Sequence, residues 1–263
     1  MDLDTIRSRI AEHGLSYRGA FHVESPRPRE REREGPIAER WEGEGNPSAE
    51  TLILVGFIGS ENWPTFTTSP EATDGQPDPL DRWSTRVITA VAQSLGATPL
   101  FPFDGPPYLP FQRWAQKAEP VHPSPLGILI HPDWGLWHAY RGALAFAERI
   151  DLPPPDLSPS PCDSCAGKPC LSACPVDAFS PAGYDVHACV IHIAASTGAE
   201  CMSAGCLARR ACPIGPDYRH NPAQAWFHQQ AFLASQRSNA AEIDDLTRRI
   251  DIGVRRGSAR RGR

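Results

Sequence analysis

Over the first hundred residues the apolar positions switch between helical and extended spacing. In DTIRSRIAEHGL, residues 4–15, Ile6, Ile10 and Leu15 recur at near-helical intervals and Gly14 supplies a stop, which predicts a short amphipathic helix. RGAFHV then alternates as a strand does. TLILVGFIG, residues 51–59, is a continuous branched apolar run, the signature of a strand covered on both faces. Between them Ser25–Gly45 is dense in Glu, Arg, Pro and Gly and lacks the apolar side chains that would offset its ordering entropy, so a solvated excursion or a partly mobile loop is expected. Ser60 to Asp81 reads as a long loop. Val87, Ile88, Val91 and Leu95, with Pro79 ahead and Gly96 behind, predict a helix over Leu80–Leu95. ATPLFPF predicts a short strand that its prolines confine to a sheet edge.

Further along, LGILIHPDWGLWHAYRGALAFA, residues 126–147, holds two apolar runs, Leu126–Ile130 and Ala143–Ala147, that read as strands. The connection between them carries His131, Trp134, Trp137, His138, Tyr140 and Arg141. Two readings of it stay open: the aromatics plug the end of a sheet while Arg141 pairs with a carboxylate, or the segment walls a pocket for a flat, polar-edged ligand. IDLPPPDLSPSP, residues 150–161, is a stiff connector. Beyond it Asp185 is placed to cap a helix bearing Val186, Cys189, Val190 and Ile193. A helix starting near Pro222 has Trp226, Phe227, Ala231 and Phe232 as its apolar side, a last one is expected around Ile243, Leu246 and Ile250, and the basic tail Arg255–Arg263 reads as a solvated terminus.

The chemistry is concentrated in cysteines. PCDSCAGKPCLSACP, residues 161–175, sets Cys162, Cys165, Cys170 and Cys174 at short spacings and closes on Cys-Pro, as in the C-x2-C-x2-C-x3-C-P run of two-cluster ferredoxins, with two extra residues in the second gap. A cubane cluster needs thiolates converging from several directions, and a tight loop supplies three; the fourth cysteine of such a run serves the neighbouring cluster. A second, looser run follows, Cys189, Cys201, Cys206 and Cys212, the last again before proline. Interleaving assigns Cys162, Cys165, Cys170 and Cys212 to one [4Fe-4S] cluster, and Cys174, Cys189, Cys201 and Cys206 to the other. Structural zinc is the competing reading, although its sites usually come as separated C-x2-C knuckles. Disulfides would need an oxidising compartment, and MDLDTIRSRIAEHG holds no apolar export segment.

Composition narrows the class. No cysteine precedes residue 162 or follows residue 212, which predicts a thiol-free body, residues 1–150, a cluster module over 151–220, and C-terminal helices with a basic tail over 221–263. A net charge of -5 argues against binding to nucleic acid or a membrane surface, and no apolar run reaches the ~20 residues of a membrane span. A cytoplasmic protein is expected.

Two motifs together carry a resemblance. HPDWGLWHAYRG, residues 131–142, resembles the His-Pro-x-x-Gly-x-Trp and Arg-Gly stretch of the cytosolic cobalamin-processing proteins, and the eight-cysteine order, with DVHACVIHI around Cys189, is similar to that of the epoxyqueuosine reductases. The resemblance implies an α+β fold, a nitroreductase-like body followed by a small ferredoxin-like module with two [4Fe-4S] clusters. It further implies that the body binds cobalamin, with His131, Trp137 and Arg141 at or near the pocket. No residue is assigned as catalytic. Epoxyqueuosine reductases end in a helical-repeat domain that grips tRNA, whereas two helices and a short tail follow the clusters here, so tRNA is not expected as a partner. The expected function is that of an iron–sulfur oxidoreductase that takes electrons from a donor protein or reductase and delivers them to a corrinoid or organic substrate. The alternative is a ferredoxin-like electron-transfer partner without a corrinoid.

Overall fold

The computed structural model describes residues 1–23 and 49–236, which divide into two compact units: Met1–Lys168 together with Cys212–Arg219, and Pro169–Ala211 together with the chain from His220. The expectations for Ser25–Gly45, for a helix around Ile243, Leu246 and Ile250, and for the tail Arg255–Arg263 lie outside the described residues.

In chain order the first unit holds α1 (Leu3–Glu12), β1 (Ser16–His22), β2 (Thr51–Ile58), the short helices α2 (Trp63–Thr67) and α3 (Pro70–Thr73), α4 (Pro79–Leu95), β3 (Thr98–Leu100), α5 (Phe111–Ala118), the two-residue strands β4 (His122–Pro123) and β5 (Leu129–Ile130), and β6 (His138–Phe146). Asp2 caps α1 by accepting the Thr5 N–H at 2.8 Å, and Ile6 and Ile10 turn inward. Strands β1, β2, β6 and β3 form one antiparallel sheet in that order. The continuous apolar run is thus an inner strand, and both of its faces are covered. Leu52 and Leu54, with Ala143 and Ala145 of β6, meet Phe111, Trp114 and Ala115 of α5. On the other face Phe57 meets Trp83 of α4 with ring centroids 5.6 Å apart. Ile53 and Leu54 are fully buried, each side chain contributing about 1.5–3 kcal/mol relative to exposure.

Several sequence expectations need correction. The run Leu126–Ile130 is extended only at Leu129–Ile130, because Gly127 turns the chain at φ 76°. The strand expected at Ala143 begins five residues earlier, at His138, so Tyr140 and Arg141 lie within the sheet and not in a connection. The loop from Ser60 contains α2 and α3, whose Trp63 and Phe66 are core residues; helices of four or five residues are too short for periodicity to reveal. Thr98–Leu100 sits at the sheet edge, where its proline costs no ladder bond.

The second unit contains α6 (Pro169–Ser172), a hairpin of β7 (Phe179–Ser180) and β8 (Gly183–Tyr184), α7 (Val186–Ala194), α8 (Ala199–Ala204), α9 (Leu207–Arg210) and a helix over 222–236. Asp185 caps α7, accepting the Ala188 N–H at 2.9 Å. Its small core joins Ile193, Cys201 and Leu233, with Cys189, Val190 and Phe232 packed against them. The helix over 222–236 turns Ala225 and Leu233 inward and leaves Trp226 52% exposed and Ala231 exposed, a face rotated from the one expected. Gln229, midway between Ala225 and Leu233, donates its side-chain amide to the Cys201 carbonyl at 3.0 Å. The architecture is α+β, and among the described residues no helix is long and apolar enough to cross a membrane.

Candidate functional site

Four cysteines gather in the second unit from four different places in its chain. Cys174 follows α6, Cys189 projects from α7, Cys201 from α8, and Cys206 caps α9. Burial pushes up the thiols of Cys189, Cys201 and Cys206, and the neighbouring sulfurs add to it: Cys174 and Cys201 act on Cys189, Cys206 and Cys174 on Cys201, Cys189 and Cys174 on Cys206. Hydrogen-bond donors oppose that rise. The Leu207 N–H points at Cys201, the Arg209 and Ala208 N–H groups at Cys206, the Tyr184 hydroxyl at Cys189, and the Ala178 N–H donates to Cys174 Sγ at 3.4 Å. Four mutually repelling sulfurs, each met by a donor, suit a soft metal centre whose positive charge holds thiols deprotonated. The donor set fits a [4Fe-4S] cluster, in which N–H groups directed at sulfur are expected; zinc takes the same ligand type. Among the described residues no three potential ligands meet at the spacing of a single ion. In a cubane each cysteine binds a different iron.

In the first unit Cys162 and Cys165 lie in a turn after the proline connector, and Cys212 opens the segment Cys212–Arg219. Burial raises the Cys212 thiol, the Ile214 N–H opposes this, and Cys165 is close enough to raise it further. Cys170 lies on α6 of the second unit. None of the eight cysteines forms a disulfide.

The segment Cys212–Arg219 is seated on the HPDWG turn. His131 and Gly135 close that turn through paired backbone hydrogen bonds of 2.9 and 3.0 Å. Gly135 has φ 58°, and a Cβ there would lie 2.1 Å from the Ile214 carbonyl oxygen; one at Gly215 would lie 2.5 Å from the Trp134 carbonyl carbon. Only two glycines let the backbones cross this closely.

Beside the turn lies a cleft of about 1210 Å3, walled by β1, the end of α5, His131, Trp134 and Pro153–Pro155. His131 stacks on Trp134 with centroids 3.8 Å apart, and its Nδ1 accepts the Asp133 N–H at 3.0 Å. Burial, then the Arg18 charge, pull its pKa down to about 4, so the ring is neutral at physiological pH. Behind the wall Arg18, fully buried, donates Nη1 to the Phe57 carbonyl at 2.8 Å and Nη2 to Glu119 at 2.5 Å. Its guanidinium lies over the rings of Trp134 and Tyr140 at 4.6 and 4.9 Å, and the Tyr140 hydroxyl donates to the same Glu119 oxygen. Burial raises the Glu119 carboxyl despite that company.

Of the three pocket residues expected from the sequence, His131 lines this cleft. Trp137, 2% exposed, and Arg141 are not among its lining residues. The Arg141 side chain turns to α4, where Nε donates to Ser84 Oγ at 3.0 Å and Nη2 pairs with Asp81. Arg18 and Glu119 escaped the sequence reading. Signals for both were present: a glycine inside a strand pattern, RGAFHV, marks a bulge, and Phe111, Trp114, Ala115 and Ala118 recur at helical spacing just before Glu119. The β1–β2 register does shift between Tyr17 and Ala20, turning Arg18 inward while Gly19, at φ 79°, lies against the Ala118 carbonyl.

No protein-family model matches the sequence, and no curated protein matches it. Solved structures do share its fold. Epoxyqueuosine reductase from Streptococcus thermophilus aligns with a TM-score of 0.52 at 15% identity, over 86% of this chain and 70% of that one. A selenomethionine-labelled epoxyqueuosine reductase aligns at 0.50 and 14%, over 84% and 70%. At this identity the likeness is one of fold, and it bears on the epoxyqueuosine reductase half of the resemblance and not on cobalamin processing. A third structure is epoxyqueuosine reductase with a tRNA-Tyr epoxyqueuosine-modified stem loop, with a TM-score of 0.48 and 14% identity over 84% and 69%. A protein of the kind whose fold the chain shares is thus seen with tRNA, which corrects the expectation that tRNA is not a partner. A net charge of -5 is a sum over the whole chain, whereas phosphate contacts depend on where individual cations stand.

Proposed function

We propose that the chain is an iron–sulfur oxidoreductase akin to the epoxyqueuosine reductases, with two [4Fe-4S] clusters that deliver electrons to a corrinoid or organic substrate. The observation that carries this reading is the gathering of Cys174, Cys189, Cys201 and Cys206 in one unit, each sulfur faced by a hydrogen-bond donor. Cys162, Cys165, Cys170 and Cys212 are assigned to the other cluster by the interleaved spacing. When bound, such clusters supply single electrons at potentials set by solvation and hydrogen bonding to sulfur. We read residues 1–150 as a nitroreductase-like body, 151–220 as a ferredoxin-like module and 221–263 as C-terminal helices with a tail. A cleft of about 1210 Å3 exceeds the ~300–1,000 Å3 of ordinary small-molecule pockets and has the size for a corrinoid. In this reading His131 stands in its wall beside Trp134, and Trp137 and Arg141 hold the sheet behind it. A modified nucleoside in a tRNA stem loop belongs to the substrates the proposal admits.

One observation favours the second reading, an electron-transfer partner without a corrinoid: Trp137 is buried and Arg141 is engaged by Asp81 and Ser84. Titrating the anaerobically purified protein with cobalamin decides between the two. Saturable one-to-one binding that His131→Ala weakens supports the first reading; an unchanged corrinoid spectrum at all ratios leaves the second.

A further inference from the structure

One wall of the cleft is held only at its ends. Residues 151–157, DLPPPDL, run between β6 and the turn that carries Cys162 and Cys165, and Leu152–Leu157 line the cleft. Just before this segment Ile150, 2% exposed, donates its N–H to Thr51 Oγ1 at 3.0 Å, and its carbonyl accepts the His22 Nε2–H at 2.9 Å. Just after it the Ser158 carbonyl accepts the His122 Nε2–H at 2.9 Å. Between these two pins, among the described residues, the only hydrogen bonds of Asp151–Leu157 are those that Asp156 Oδ1 accepts from the Ser158 N–H and hydroxyl, at 2.9 and 2.7 Å. Pro153–Pro155 have no N–H to satisfy, so the segment can leave its wall without breaking a bond to the sheet. Three consecutive prolines also keep it stiff, and a stiff piece loses little entropy when it closes. Leu157, at the cleft, is 86% exposed, an apolar side chain whose burial the fold leaves unused.

We propose that Asp151–Leu157 is a strap that closes over the ligand of the cleft, swinging between its two histidine-held ends and laying Leu157 on the ligand's apolar surface. The proposal rests on the reading of the cleft as a corrinoid site. The His122 bond stops the motion at Ser158. The turn beyond it is closed on itself, the Cys162 N–H donating to Ser160 Oγ at 3.3 Å and the Asp163 N–H to the Ser160 carbonyl at 3.0 Å. Closure therefore covers the ligand without dragging Cys162 and Cys165 with it.

The test uses the anaerobically purified full chain with hydroxocobalamin as the probe, and follows binding through the corrinoid spectrum. Leu157→Asn keeps the size of the side chain and removes its apolar character. It should weaken binding by about tenfold or more, the worth of covering an otherwise exposed leucine, while the iron content stays that of the wild type. Placing 4-trifluoromethylphenylalanine at position 157 reports burial directly by fluorine NMR. Its resonance should respond to exchange of H2O for D2O in the free protein and cease to respond in the corrinoid complex. Either wild-type affinity in Leu157→Asn or a fluorine probe that stays in water in the complex overturns the strap and leaves the corrinoid reading standing. A wild-type protein that does not bind the probe ends the corrinoid reading itself, and this inference with it.

Discussion

Replacing Glu119 by glutamine probes the buried charge behind the cleft. Arg18 is fully buried and the Glu119 side chain is 7% exposed, with contacts of 2.5 Å from Nη2 and 3.4 Å from Nε. Glutamine preserves the volume and an acceptor but removes the charge. A guanidinium cannot shed its proton, so the substitution leaves a buried cation without its counterion, a change that typically costs about 3–5 kcal/mol. The Trp134 and Tyr140 faces continue to stabilise the cation, by roughly 1–2 kcal/mol each when desolvated, which places the expected loss near the lower end, about 3 kcal/mol. Arg18→Met should behave differently. The carboxyl it strands is already raised by burial, and without the arginine it rises further. A folded pKa above the unfolded value gives a penalty that grows as pH rises and fades toward the unfolded pKa, so this variant should lose less stability at about pH 5 than at about pH 8. Urea midpoints of the wild type, both single variants and the double variant, measured anaerobically at those two pH values, provide the comparison. A loss below ~1 kcal/mol in Glu119→Gln, the scale of an exposed pair, would refute the reasoning, as would an Arg18→Met penalty equal at both pH values.

Three further outcomes are expected. Cys174→Ser should cost one cluster, halving the iron per chain while the other cluster's signal persists; equal loss of both signals in a folded protein contradicts the interleaved assignment. Gly135→Ala should destabilise the first unit by about 2 kcal/mol or more, through overpacking against the Ile214 carbonyl and a left-handed backbone, and should weaken the cluster served by Cys212, two residues upstream; a fully loaded, equally stable variant contradicts the crossing. His131 is held near 4, below its unfolded value of 6.5, so its contribution is complete above pH 6.5 and is lost as pH falls toward about 4, by up to ~3 kcal/mol. His131→Gln should flatten that stretch of the stability curve, and an unchanged slope argues against a neutral buried imidazole.

Different parts of this molecule were legible in the sequence to different degrees, for physical reasons. TLILVGFIG announced a doubly covered strand because burial on both faces removes every polar position, and Asp185 announced the Cys189 helix because capping is local chemistry. The interleaved spacing assigns Cys174, Cys189, Cys201 and Cys206 to one cluster, an assignment that the iron content of Cys174→Ser tests. What stayed hidden depends on distance along the chain. Arg18 finds Glu119 across 101 positions, and nothing local to either residue names the other. The ambiguity of Arg141 was of the same kind: a buried arginine reads alike whether it meets a ligand or, as observed, Asp81. The inward face of the helix over 222–236 was not legible because the large Trp226 and Phe227 outweigh Ala225 in an apolar pattern, whereas Ala225 is the buried one. Net charge could not decide about tRNA because a sum discards position.

The most direct test of the central claim is a metal and sulfide analysis of the anaerobically purified protein, paired with electron paramagnetic resonance of the reduced state. The account predicts about eight irons and eight sulfides per chain and two [4Fe-4S] signals. Zinc in place of iron, with no acid-labile sulfide, would contradict it and make the cysteine module a structural zinc domain.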